Sequence, residues 1–144
     1  MLTEQKTIVR RFFEEAVNKR NMTVVDELIA QNYIEHEGPV GQPSGIEGFK
    51  QFIAMVATAF PDLQVTIEDL IAEGDKVVAR VTVRGTHKGT LMGNIPPTGK
   101  HATWTGIDIF QIAGGKIVGR WNQRDLLGLM QQLGVIAAPG QSEN

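Results

Sequence analysis

The hydrophobic period of this chain changes once, at Pro61-Asp62, and that change limits what the chain can become. Before it, apolar residues recur at helical spacing; after it, they alternate with polar ones. Ile8, Val9, Phe12, Phe13, Ala16 and Val17 give residues 3–19 a wide apolar stripe between charges, which predicts an amphipathic helix. Asn21 or Thr23 can cap a second, short helix carrying Val24, Val25, Leu28 and Ile29. Residues 32–39 read as a short extended piece running into a loop rich in Gly and Pro. Ser44-Gly45-Ile46-Glu47 has the form of a capping box, opening a third helix with Phe49, Phe52, Ile53, Val56 and Phe60 on one side.

Beyond Pro61 the reading is all strand. Leu63, Val65 and Ile67 alternate with polar residues, Gly74-Asp75 signals a tight turn, and Val77, Ala79, Val81 and Val83 mark the next strand. Residues 88–99, with their Gly and Pro, form an irregular loop. Two further strands, 100–112 and 116–124, flank Gly114-Gly115, and a closing helix over Leu126–Leu133 stops at Gly134. Three helices followed by antiparallel strands predict an α+β fold, a curved sheet with helices on one face. The length suits a single domain over residues 1–136, with a loose tail at 137–144.

Composition removes several functions. A net charge of -2 without a basic stripe argues against nucleic acid as a partner. The absence of cysteine excludes a thiolate zinc site and a thiol nucleophile. No apolar run suits a membrane span, and Glu4, Arg10, Arg11, Glu14 and Glu15 interrupt any leader-like stretch, so a cytoplasmic protein is expected. The three histidines, His36, His87 and His101, lack metal-ligand spacing, and no phosphate-cradling glycine loop is present. What is left is acid–base chemistry on a small apolar substrate, with no cofactor and no metal.

Three groups can carry such chemistry. Asp125 follows the last strand and shares its parity with Ile117 and Trp121, which describes a pocket wall. It is either a proton carrier or the N-cap of the helix that begins at Leu126, and the pattern leaves both open. His87 continues the inward parity of Val77 to Val83, and is either a core histidine satisfied by one hydrogen bond or a catalytic group. Asp108 interrupts Ile107 and Ile109 on a face shared with Trp104, Gly106 and Phe110, where desolvation would suit a general acid or base, or where an arginine would pair with it. Trp104, Trp121, Phe52, Met55, Tyr33 and Met92 are expected to line the substrate pocket.

A wider pattern adds to this. Ala59-Phe60-Pro61-Asp62-Leu63, the run 71–77, Gly85-Thr86-His87-Lys88-Gly89 and Ile95-Pro96-Pro97-Thr98-Gly99-Lys100 are its first part. Thr105 to Phe110, Gly114 to Val118, Trp121 and the run 125–134 complete it. In this order the chain resembles the SnoaL-like polyketide (ester) cyclases of the NTF2-like superfamily. The resemblance implies a cone, a strongly curved sheet wrapped around a long helix, with a pocket inside and dimers formed through the sheets. It implies cofactor-free ring closure by intramolecular aldol condensation, with Asp125 matching the aspartate that follows the last strand. The family's assisting histidine has no counterpart in residues 102–112, where Asp108 and Gln111 are the polar groups; His87 is the nearest strand histidine. The reading is an acid–base enzyme for a small, mostly apolar carbonyl substrate, a cyclase or else an isomerase, dehydratase or hydrolase; the alternative is a non-catalytic NTF2-like module that binds a small ligand or another protein.

Overall fold

Asn18 ties the helical half of the chain to the sheet. Its amide donates to the Val65 carbonyl at 2.9 Å and accepts from the Val65 N–H at 2.8 Å, standing in for one rung of a strand. The computed structural model describes residues 2–37 and 45–136. Helix α1, Leu2–Arg11, runs on into a wider π-helical segment, Phe12–Asn18, and then come α2 (Met22–Leu28), β1 (Ile29–Glu35) and α3 (Gly45–Ala59). The strands β2 (Gln64–Glu73), β3 (Lys76–Thr86), β4 (His101–Ala113) and β5 (Lys116–Arg124) follow, with α4 (Leu126–Leu133) last.

These elements form the expected α+β arrangement, with one five-stranded sheet in the order β1-β5-β4-β3-β2. The sheet curves without closing, helped by bulges between Ile67 and Asp69 in β2 and opposite Gln111-Ile112 at β5. Its concave face is filled from the helices. Phe12 and Phe13 meet Phe110 of β4 with ring centroids at 5.1 and 5.6 Å, and Phe12 also meets Phe49 of α3 at 5.3 Å. Edge-on and tilted aromatic contacts of this kind add to the area burial that drives the packing.

Three details depart from the sequence expectations. The second helix stops at Leu28, and Ile29 already belongs to β1. That strand pairs in parallel with β5, so the extended piece is an edge of the sheet and not merely a lead into a loop. The bulge in β5 leaves Val118 without a partner, because Ile112 faces Ile117 while Gln111 faces Gly119. One extra residue exchanges the faces for everything beyond it. Ser44 of the capping box and the tail 137–144 lie outside the described residues.

Candidate active site

The concave face holds a pocket of about 850 Å³ between the sheet, α3, the 88–99 loop and the start of α4. Phe49, Phe52, Ile53, Phe60 and Trp104 supply its apolar wall. Trp104 is buried and packs on Phe60 with centroids 5.1 Å apart. Met55 and Met92 stand at the opening, both part-exposed.

The bulge at Val118 furnishes the polar end. Beyond it Arg120, Asn122 and Arg124 pair with Phe110, Asp108 and Gly106, and so share the concave face of β4 and β5. Asp108 is fully buried. Arg124 holds it by both oxygens, through Nη1 to Oδ1 and Nη2 to Oδ2, the latter at 3.0 Å. Gly106 makes this reach possible, because a Cβ there would stand 2.5 Å from Arg124 Nη1 and 2.6 Å from the Gln123 carbonyl oxygen. Arg120 approaches Asp108 from the other side at 3.4 Å, with its guanidinium carbon 5.2 Å from the Phe12 ring centroid. Burial pulls the Arg120 guanidinium down, and the charges of Asp108 and Glu35 together with Tyr33 more than reverse this, so it stays a cation.

Glu35 is the carboxylate of this network that opens into the pocket. Asn122 Nδ2 donates to its Oε1 at 2.6 Å, the Tyr33 hydroxyl donates to its Oε2, and Arg120 Nη1 stands 3.6 Å from Oε2. Burial raises the Tyr33 phenol well above its ordinary value, so it remains a donor. A carboxylate at the end of an apolar pocket, beside guanidinium and amide N–H donors, can remove a proton α to a carbonyl while those donors hold the enolate oxygen.

The residues singled out from sequence fall into two groups. Trp104, Phe52, Met55 and Met92 line the pocket. Asp125, His87, Asp108, Tyr33 and Trp121 are not among its lining residues. Asp125 is exposed and caps α4, its Oδ1 accepting from the Gly128 N–H at 2.9 Å. Trp121 faces outward, paired with Ile109 and stacked on His36 at 4.1 Å, because the bulge turns it away from the concave side. His87 is buried behind Phe60; its Nδ1 accepts from the Thr98 N–H at 3.2 Å, which puts the ring proton on Nε2. Asp108 and Tyr33 sit directly behind the pocket wall, gripping Arg124 and Glu35.

Sequence reasoning missed Glu35, Arg120, Asn122 and Arg124. Glu35 shares a strand parity with Tyr33, a signal that was present in the chain. The three β5 residues carried none, since only the bulge turns them inward. Among the described residues no cluster of His, Asp and Glu is arranged to hold a metal ion, and no helix is long and apolar enough to cross a membrane.

The family model of the SnoaL-like polyketide cyclases matches residues 7–133. The structure of TsrD from Streptomyces laurentii is similar at a TM-score of 0.85 and 34% identity, over 93% of this chain and 97% of that one. A Bacillus cereus protein provisionally described as a polyketide cyclase is similar at 0.81 and 32% identity, over 94% of this chain and 83% of that one. A SnoaL-like polyketide cyclase from Agrobacterium tumefaciens shares the fold, with a TM-score of 0.76 at 19% identity over 90% and 97% of the two chains. No curated protein matches.

Proposed function

The chain belongs to the SnoaL-like polyketide cyclase family, and from that footing we propose that it is a cofactor-independent acid–base enzyme for a small, mostly apolar carbonyl compound. The reaction is intramolecular aldol closure of a polyketide-like chain. One observation carries this reading: Glu35 opens into a pocket with a largely apolar wall, beside the N–H donors of Asn122 and Arg124. The Glu35 carboxylate takes a proton from the carbon between two carbonyls. Asn122 and Arg124 hold the resulting enolate oxygen. The enolate carbon attacks a second carbonyl of the same molecule, forming a C–C bond while that C=O becomes an alkoxide. Glu35 then returns its proton to the alkoxide. Asp108 and Arg120 keep the two donors in position, and the apolar wall folds the chain.

The test uses benzoylacetone, a β-dicarbonyl whose exchange of α-protons in D₂O is read by NMR. The wild type is expected to accelerate exchange, and Glu35→Gln to lower that rate by roughly 10²–10⁴-fold at an unchanged melting temperature. Treatment with EDTA should leave the rate as it was. No acceleration by the wild type, or full rate in Glu35→Gln, would overturn the reading. A binding module is the second reading, favoured by the fact that both Glu35 oxygens already accept hydrogen bonds. Saturable binding of benzoylacetone with no exchange would select it.

The partner we propose is a second copy of the chain. Ile71, Val78, Ile109 and Trp121 stand side by side on the convex face of β2 to β5, an apolar row across four strands. Ile71 is 62% exposed, so covering this row with its own twin would remove a cost to solubility.

A further inference from the structure

Glu35 marks one end of the pocket, on the edge strand β1. The other end carries a cation that no carboxylate balances. Arg20 follows the π-helical segment, whose Asn18 is pinned to Val65 of β2, so Arg20 stands beside the opposite edge of the sheet. It lines the pocket with Val17, Leu63 and Val65. Its backbone is left-handed, at φ 53, where a residue other than glycine is uncommon.

The guanidinium is held in place without being neutralised. Nη2 donates to the Pro61 carbonyl at 2.7 Å and to the Phe60 carbonyl at 3.3 Å, just past the end of α3. Both acceptors are neutral. Among the described residues Arg20 forms no ion pair, and its Nε and Nη1 have no hydrogen-bond partner there. The two arginines at the far end differ, because Asp108 and Glu35 offset Arg120 and Arg124. A fixed guanidinium with idle donors on an apolar wall is suited to a carboxylate, and charge-assisted hydrogen bonds are about twice as strong as neutral ones.

We propose that Arg20 binds a carboxylate of the substrate, so that the natural ligand is a keto acid with its acid at the β2 edge and its reacting carbonyl at Glu35. This rests on the acid–base reading of the Glu35 end and adds the substrate class. The sheet order separates the two edges by four strand spacings of about 4.8 Å, roughly 19 Å measured across the sheet, and Val65 lies several residues along β2 from Ala72, the residue level with Glu35. The acid and the ketone must therefore sit at opposite ends of an elongated, apolar molecule.

An acetylbiphenylcarboxylate with its two groups at opposite para positions, and its methyl ester, provide the test by quenching of Trp104 fluorescence and by calorimetry. The wild type is expected to bind the acid roughly 10- to 100-fold more tightly than the ester. Arg20→Gln should abolish that preference while leaving ester affinity unchanged, and Arg20→Lys should keep much of it. Glu35→Gln should retain the preference for the acid, so failure of the catalytic reading and failure of this one give different results. Equal affinity of the wild type for acid and ester, or no saturable binding of either, overturns the proposal. So does a preference that survives in Arg20→Gln. Loss of acid and ester binding together with a fall in melting temperature in Arg20→Gln would make Arg20 a clamp on the end of α3, and would overturn it too.

Discussion

Arg124 grips the fully buried Asp108 by both carboxylate oxygens, lying flat over the strand where Gly106 offers no side chain to obstruct it. Asp108 in turn faces Arg120, whose guanidinium sits over both the Phe12 and Phe110 rings. Asp108 thus offsets Arg124 and, together with Glu35, Arg120, while its own carboxyl is closed to water. Such a carboxylate organises the donors around it and is not open to take a proton from a substrate.

Removing that carboxylate should therefore cost stability first. Asp108→Asn keeps the shape but leaves both arginines short of charge, and breaking a buried pair from one side costs about 3–5 kcal/mol. Urea unfolding of the wild type and the variant measures it. A loss below about 1 kcal/mol would mean that solvent reaches the pair.

Asp125 is expected to behave as a cap. Asp125→Asn retains an oxygen for the Gly128 N–H and should leave melting temperature and benzoylacetone exchange within a few-fold of wild type. Asp125→Ala should lose about 1 kcal/mol of stability. If Asp125→Asn instead abolishes exchange with its stability intact, the proton carrier is Asp125 and the assignment to Glu35 falls.

The turn after α3 should make stability depend on acid. The Thr86 N–H and then its hydroxyl, at 2.6 and 2.8 Å, hold the Asp62 carboxyl below the ordinary aspartate value of 3.8. A depressed carboxyl contributes its full stabilisation above 3.8 and loses it as pH falls through the lower folded value. Urea unfolding at a series of acidic pH values should show a steeper decline for wild type than for Asp62→Asn. Parallel curves would show that the Thr86 bonds do not persist in solution.

Sedimentation at micromolar concentration should find a dimer. Ile109→Arg puts a charge in the middle of the convex apolar row and should yield monomers with the fold intact by circular dichroism. A monomeric wild type would rule the interface out.

How much of this could be read from the chain depends on the range of the interaction involved. The helical stripe of Phe12 and Phe13, the alternation of Val77 to Val83 and the cap at Asp125 arise between residues close in sequence, and period alone carries them. The α+β arrangement and the inward face of Asp108 follow from the same local rule. The polar end of the pocket does not. Glu35 reaches Asn122 only because β1 pairs with β5, two strands separated by most of the chain. Arg120, Asn122 and Arg124 face inward, and Trp121 outward, only because Val118 bulges against Gln111 and Ile112. A bulge is decided by how two strands fit side by side under the curvature of the whole sheet. No hydrophobic pattern within β5 contains that fit, so the sequence determined the strand and the tertiary structure decided which side of it lines the pocket.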